Sequence, residues 1–237
     1  MINYKLLSRI TGTGYLIIFI TGFFANFGVV ESLIVKGNIA ATVENISTNL
    51  TIFRWGMFSF ILMVVIDTLL AWALYILFKP VDNNLSLLSG WLRLINAGIF
   101  AVALYHLFNV LNLVTADYYQ PAVNNTNIET MIMLSLDSFN YIWLIGLIFF
   151  GIHLLILGYL ILKSTYVPKF IGILLLFASF GYLIDSFAVV LLPNYEEYKD
   201  IFQMVVIIPG VLGEFSLTLK LLIWGVDEQK IHAQSIN

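Results

Sequence analysis

The sequence contains no cysteine, and few of its side chains carry a charge. Without cysteine the chain has no disulfide bonds, thiol nucleophiles, cysteine-ligated zinc or iron–sulfur clusters. Charged residues make up 11% of the 237 residues, whereas soluble domains carry roughly a quarter. The formal net charge is −3 and no long basic run occurs. The chain therefore lacks the basic face that nucleic-acid binding requires.

Apolar residues take the place of the missing charges and make up 60% of the chain. A single soluble core of this size cannot hide so many apolar side chains, because a folded domain of a few hundred residues still exposes about a quarter of its unfolded surface. We therefore expect the lipid bilayer to be the main partner of this surface.

Six segments contain the roughly 20 mostly apolar residues that a membrane-spanning helix needs. They cover residues 10–30, 53–78, 87–115, 131–162, 170–192 and 201–224. The first segment carries no charge and is long for a cleavable signal peptide, so we predict that it is a retained span. The links between spans are short, which favours antiparallel neighbours. The sequence predicts an all-α fold, a polytopic transmembrane bundle of about six helices that forms one domain over residues 1–237.

The stretch from residue 31 to residue 52 differs from the spans. Ile39, Val43, Ile46 and Leu50 follow helical spacing, and Asn38 stands where an N-cap would. This pattern predicts a short amphipathic helix on the membrane surface after the first span. An irregular loop is the alternative.

The distribution of basic residues predicts the orientation in the membrane. With the N-terminus in the cytoplasm, the inner positions hold Lys5, Arg9, Lys79, Arg93, Lys163, Lys169, Lys220 and Lys230. The outer positions then hold Lys36, Arg54 and Lys199. Eight basic residues inside against three outside is the direction of the positive-inside rule. We predict a protein of the inner (plasma) membrane with both termini in the cytoplasm.

Several short segments occur in an order typical of one membrane family. They are Arg9-Ile10-Thr11-Gly12, Ser32 to Gly37, Phe53-Arg54, Asp67, Leu77 to Val81, Arg93, Gly146 to His153, Gly158-Tyr159, Gly181 to Phe187, Pro209 and Glu214. Through them nearly the whole chain resembles a bacterial family known as domain of unknown function 4386. The resemblance implies a six-helix inner-membrane protein and supplies no catalytic residues.

Ionisable residues inside the spans are the candidates for function. A charged side chain at the bilayer centre costs roughly 2.5–3.5 kcal/mol on insertion scales, so such groups are expected to face the protein interior. Asp67, His106 and Glu214 lie near the middle of the second, third and sixth predicted spans. Asp185 lies somewhat outside the middle of the fifth. We predict that these four residues lie at one depth.

Further polar residues favour the outer half of the protein. Asn109 follows His106 by three residues on one helix face, and Asp137 lies near the outer end of the fourth span. The sequence thus predicts an outward-facing polar cavity that binds a ligand or relays protons. Its predicted residues are Asp67, His106, Asn109, Asp137, Asp185 and Glu214.

Four basic residues are expected elsewhere. His153 follows Asp137 by 16 residues, which places it about 24 Å along the helix and away from the cavity. It is expected to contact Arg93 or Lys220 near the inner leaflet. Arg9, Arg54 and Arg93 lie near predicted span ends, so we expect them to extend toward the interface and lipid headgroups.

These residues leave three classes of function open. The first is a protein that binds or moves a small ligand or a proton through the cavity. The second is a metal-assisted membrane enzyme for a lipid-like substrate, with His106 and Asp185 as candidate metal ligands. The third is a structural or partner-binding subunit whose buried acids specify helix pairing. The residues indicate no particular cofactor or oligomeric state.

Overall fold

A computed structural model describes residues 2–35, 37–115 and 125–234, with backbone alone for residues 125 and 126. Within these residues the chain forms eight helices and no strand. In chain order they are α1 Tyr4–Leu33, α2 Ile39–Thr48, α3 Leu50–Phe78, α4 Asn83–Thr115, α5 Asn125–Lys163, α6 Lys169–Leu191, α7 Tyr195–Trp224 and α8 Glu228–Gln234. Lys36, which the sequence places on the outer side, lies outside the described residues.

Six of the helices in the described ranges, all except α2 and α8, are long and apolar enough to cross a membrane. The prediction of an all-α polytopic membrane protein is confirmed. Most of these helices begin a turn or more before the predicted spans; α1, for example, begins at Tyr4 and α4 at Asn83. The reason is that polar first turns continue the helix beyond the apolar run.

Helix α2 forms as predicted, and its first turn is capped by Asn38. The Asn38 Oδ1 accepts a hydrogen bond from the Ala41 N–H at 3.0 Å. The buried side of α2 consists of Thr42 and Ile46, both fully shielded from solvent. The buried face of α2 therefore differs from the predicted apolar face. The Thr42 hydroxyl points inward and accepts a hydrogen bond from the backbone N–H of Val35 at 2.9 Å.

The chain divides into two compact units, which are described separately. The first unit contains residues 1–17, 66–97 and 145–237, and the second contains residues 18–65 and 98–144. The single domain predicted for the whole chain stays a prediction.

The second unit packs around aromatic rings. Trp143 on α5 stacks on Phe100 of α4, with ring centroids 3.7 Å apart and planes 6° from parallel. Phe60 of α3 and Phe139 of α5 lie against the same indole at 5.1 and 5.3 Å. Offset or tilted aromatic pairs add about 0.5–1.5 kcal/mol to the gain from burial.

In the first unit, small residues allow α5 and α6 to approach closely. A Cβ added at Gly158 would lie 2.9 Å from the carbonyl oxygen of Gly172, and the reverse distance is 2.7 Å. The Ser179 hydroxyl of α6 donates to the carbonyl of Gly151 on α5 at 2.7 Å. Helices in lipid commonly associate through such small residues and interhelical hydrogen bonds.

Helix α6 also packs closely against α7, next to a proline. Pro209 lies inside α7, and since proline has no N–H, the carbonyl of Val205 cannot receive the usual helical hydrogen bond. A Cβ at Gly181 would lie 2.6 Å from that carbonyl oxygen. The missing side chain at Gly181 thus lets α6 cover the part of α7 that Pro209 disrupts.

The C-terminal segment folds back on the start of α1. Gly225 has a φ of +68°, a conformation that glycine adopts without strain, and it turns the chain after α7. The Ser8 hydroxyl then accepts a hydrogen bond from the Val226 N–H at 3.1 Å. At the other end of α8, the Gln234 side chain accepts from the Thr165 N–H at 3.1 Å. The segment therefore connects α1 to the α5–α6 link.

The α6–α7 contact predicts a large effect of one methyl group. We expect Gly181→Ala to lower the free energy of unfolding by about 1–3 kcal/mol, because the added Cβ overlaps backbone that cannot rotate away. The measurement is thermal or denaturant unfolding of detergent-purified protein.

Gly98→Ala is the matched control, since a Cβ at this helical position meets nothing within 4 Å. It should leave the protein unchanged or stabilise it by up to about 1 kcal/mol through helix propensity. Equal losses in the two variants would contradict the proposed contact.

Candidate functional site

The polar side chains of the first unit converge on Arg93, a residue of α4 that is only 1% exposed. Its Nη2 donates to Oδ1 of Asp67 on α3 at 2.5 Å, which makes a salt bridge. Asp67 is itself 5% exposed. An arginine side chain keeps its positive charge in proteins. A full positive charge is therefore buried among the helices, in contact with the Asp67 carboxylate.

The other terminal nitrogen of Arg93 faces two more helices. Its Nη1 donates to the hydroxyl of Tyr15 on α1 at 3.1 Å and lies 3.1 Å from Nε2 of His153 on α5. The guanidinium carbon also lies 4.9 Å from the Tyr15 ring centroid and 5.5 Å from that of Phe150. At these distances the rings stabilise the cation through their π faces.

The hydrogen bonds of His153 define its tautomer. Its Nδ1 lies 2.9 Å from the backbone carbonyl of Ser89 and 2.9 Å from the Ser89 hydroxyl. A carbonyl accepts only, so Nδ1 carries the proton and donates to it. Nε2 is then the acceptor for the Arg93 N–H. The geometry thus requires a neutral imidazole, because a proton on Nε2 would oppose the guanidinium.

The second carboxylate oxygen of Asp67 is also paired. The Asn96 amide nitrogen donates to Oδ2 of Asp67 at 3.1 Å, and Asn96 is 1% exposed. Ser89, Arg93 and Asn96 are spaced by four and three residues, so they form one polar stripe along α4. This stripe holds the Asp67 carboxylate from one side with charge-assisted hydrogen bonds.

Helices α6 and α7 contribute Tyr182 and Glu214. Glu214 is half-buried and interacts electrostatically with Arg93, Asp67 and Tyr15. Tyr182 interacts with Glu214 in the same way, and its ring centroid lies 5.3 Å from that of Phe150. The group defined here as the Arg93 cluster consists of Tyr15, Asp67, Arg93, Asn96, His153, Tyr182 and Glu214.

The residues of the Arg93 cluster lie at similar distances from one end of their helices. Arg93 follows the start of α4 by ten residues, His153 precedes the end of α5 by ten, and Glu214 precedes the end of α7 by ten. Asp67 precedes the end of α3 by 11 residues. At a rise of 1.5 Å per residue these are distances of about 15 Å from the helix ends, so the cluster residues lie at one depth.

Two of the six residues predicted for the cavity belong to this cluster. Asp67 forms a salt bridge with Arg93, and Glu214 interacts electrostatically with both residues. Asp185 pairs instead with the Tyr195 hydroxyl, which donates to its Oδ1 at 2.7 Å. The other three, His106, Asn109 and Asp137, belong to the second unit.

Within the second unit, His106 and Asn109 are half-buried and Asp137 is exposed. The ring of His106 lies edge-on to Tyr105, with centroids 5.8 Å apart. The outward-facing cavity stays a prediction.

The prediction that Arg93 contacts lipid headgroups is wrong. Helix α4 begins at Asn83 rather than near residue 87, so Arg93 lies in its third turn, and the Asp67 carboxylate gives the guanidinium a buried partner. Arg9 and Arg54 are exposed, and Arg9 donates to the carbonyl of Ile223 at 3.5 Å. Headgroup contact by these two arginines stays a prediction.

His153 confirms one prediction and contradicts another. Its contact with Arg93 is present. The prediction that His153 lies away from the cavity residue Asp67 is wrong, because Arg93 contacts both residues. The sequence interpretation also omitted Tyr15 and Asn96, although the polar stripe on α4 was a visible signal. Tyr15 gave no such signal among the twelve tyrosines of the chain.

A metal centre finds no geometric support in residues 2–35, 37–115 and 125–234. In these ranges no three His, Asp or Glu side chains are grouped so that they could hold an ion. Neither candidate ligand, His106 or Asp185, belongs to such a group among the described residues.

Comparison with known proteins places the whole span region in one family. The model of the family described as "Domain of unknown function (DUF4386)" matches residues 10–225. An uncharacterized protein of Archaeoglobus fulgidus is 37% identical over 124 residues, which are 52% of this chain and 60% of that protein. The match thus spans 60% of the length of the archaeal relative. No solved structure matches.

The buried ion pair predicts strong coupling between Asp67 and Arg93. We expect Asp67→Asn or Arg93→Gln alone to lower the free energy of unfolding by about 3–5 kcal/mol, because each removes one partner of a buried, hydrogen-bonded ion pair. The double variant should lose less than the sum of the two single losses. The measurement is a double-mutant cycle of unfolding in detergent.

Arg54→Gln, at an exposed arginine, is the control and should change stability by no more than about 0.5 kcal/mol. Additive losses from Asp67→Asn and Arg93→Gln would show that the salt bridge is not coupled in the folded protein.

Proposed function

The chain belongs to the family described as a domain of unknown function (DUF4386), and within that family we propose that this multi-pass membrane protein binds and moves a small cation, in the first place a proton, at Glu214. The observation that carries the proposal is the balance of charge in the Arg93 cluster. It holds two carboxyl groups, Asp67 and Glu214, against one guanidinium and a neutral imidazole.

An unbalanced charge is costly in the middle of a membrane. Asp67 is neutralised by Arg93, with which it shares a salt bridge, whereas Glu214 is a second acid that interacts electrostatically with the same cation. The cluster therefore carries one negative charge too many unless Glu214 takes up a proton or a bound cation. Intramembrane acids with this property are typical parts of proton and ion pathways.

The groups that face Glu214 come from four other spans. They are Tyr15 on α1, Asp67 on α3, Arg93 on α4 and Tyr182 on α6. Of these, Asp67 opposes a charge on Glu214 and Arg93 favours it. The α5 residue in the cluster, His153, bonds to Arg93. Glu214 is also half-buried, whereas Asp67 is buried with both oxygens paired. Glu214 is thus the acid that exchanges a proton most readily.

The two other classes of function remain as outcomes of the test. A structural subunit would need Glu214 only for folding, and its replacement would then change stability without abolishing any proton movement. A metal-assisted enzyme would need a third ligand beside His106 or Asp185, which the described residues do not provide.

Glu214→Gln tests the proposal with a nearly isosteric change. Purified protein in liposomes under an imposed pH gradient should pass protons, and the variant should pass them roughly 100-fold more slowly, the lower range for loss of a positioned acid or base. An entrapped pH-sensitive dye gives the rate. Glu196→Gln, at an exposed acid in the first turn of α7, should retain the rate of the parent protein.

Equal rates for the parent protein and Glu214→Gln would contradict the proposal. A protein that folds normally but passes no protons, with or without Glu214, would favour the structural class.

We further propose that the protein resides in the cytoplasmic membrane with both termini inside. The support is the count of seven basic residues at inner positions, leaving out the buried Arg93, against three at outer positions. An excess of Lys and Arg in a short loop favours retention of that loop on the cytoplasmic side of the membrane.

Single cysteines test this topology directly, because the natural chain has none. Asn194 and Thr165 are exposed and lie at opposite ends of α6. A membrane-impermeant maleimide should label Asn194→Cys in intact cells and Thr165→Cys only after the membrane is opened. The reverse pattern would invert the proposed orientation.

A further inference from the structure

Two buried atoms of the Arg93 cluster have no hydrogen-bond partner in the described part of the chain. They are Nε of Arg93, a donor, and Oδ1 of Asn96, an acceptor. Both residues are only 1% exposed. Leaving such an atom unpaired is unfavourable, and folded proteins almost always satisfy it with protein or with ordered water.

The two atoms belong to side chains that hold the same carboxylate. Arg93 holds Oδ1 of Asp67 through Nη2, and Asn96 holds Oδ2 through its amide nitrogen. In each side chain, the unpaired atom is bonded to the same carbon as the nitrogen that holds the carboxylate. Arg93 Nε shares Cζ with Nη2, and Asn96 Oδ1 shares Cγ with the amide nitrogen. One donor and one acceptor thus remain on the two side chains that hold the Asp67 carboxylate.

The chemistry of these atoms restricts what can bind. A metal cation is repelled by the Arg93 N–H, and an anion would lie against the Asp67 carboxylate and could not donate to Asn96. A neutral molecule that both accepts and donates satisfies both atoms. Because both residues are almost fully buried, the molecule must also be small.

We propose that the Arg93 cluster contains an internal water site beside the Asp67 carboxylate. Water at this site accepts a hydrogen bond from Arg93 Nε and donates one to Asn96 Oδ1. The proposal rests on the unpaired atoms and does not depend on proton movement at Glu214. Its consequence is that the ion pair is hydrated inside the protein, which lowers the cost of burying it.

Solid-state NMR in lipid bilayers can observe this water at a single nitrogen. The chain contains three arginines, Arg9, Arg54 and Arg93, and the first two are exposed. The variant Arg9→Lys/Arg54→Lys, labelled with ¹⁵N-arginine, therefore reports the Arg93 side chain alone. Magnetisation transferred from water protons to ¹⁵Nε measures contact between this N–H and water.

We expect a direct water cross peak at Arg93 Nε, together with slow exchange of the same proton with bulk solvent. This combination identifies a bound internal water rather than an open channel. The absence of a water cross peak at Nε would overturn the proposal. Fast exchange with bulk solvent would overturn it as well, because the nitrogen would then be open to solvent.

The variant Asn96→Leu provides a second test of the proposed water site. It removes the acceptor and fills the space, so the water cross peak at Nε should be lost. Asn109→Leu, a half-buried asparagine of the same helix outside the cluster, should retain the cross peak. A cross peak that survives Asn96→Leu would contradict the role of Asn96. If Asn96→Leu does not fold, the double lysine variant decides the question alone.

Discussion

The salt bridge between Arg93 and Asp67 is the interaction on which the centre of the first unit depends. A guanidinium cannot escape a low-dielectric environment by losing its proton, so once Arg93 is placed in the third turn of α4 its partners must be supplied by neighbouring helices. Helix α3 supplies the carboxylate, α1 a phenol and α5 an imidazole. The requirement extends outward, since the backbone and hydroxyl of Ser89 in turn hold His153 as the tautomer that accepts from Arg93.

Such a pair is a poor way to gain stability. Removing two charges from water costs several kcal/mol each, and well-packed apolar residues often stabilise a fold as much or more. The pair instead fixes the register of the helices. The hydrogen bonds of the pair with Tyr15 and His153 form only when four helices hold one relative height and rotation. Lipid-facing apolar surfaces cannot impose this condition, since leucine and lipid tails are equally apolar. The cluster and the glycine contacts of α5, α6 and α7 thus act together in fixing how the helices pack.

The sequence predicts features that depend on short stretches of the chain. It does not predict features that depend on how the helices pair with one another. Six apolar runs and the Asn38 cap were local signals, and the structure confirms them. Asp67 and Glu214 were found because acids in apolar helices are rare. Arg93 was misplaced because its depth depends on where α4 begins, and the polar first turn of that helix hides the start. Tyr15 could not be found, because a tyrosine in a span looks the same whether its hydroxyl meets a guanidinium or the membrane interface.

The two carboxyl groups of the cluster cannot have the same role. Asp67 is bound through both oxygens by Arg93 and Asn96, so protonating it would break a salt bridge and leave the guanidinium unbalanced. Glu214 interacts electrostatically with the same cation without replacing Asp67 as its partner, and in the proposed function it is the acid that takes up and releases the proton. On that proposal, the fixed ion pair would keep the helices in register while the charge on Glu214 changes.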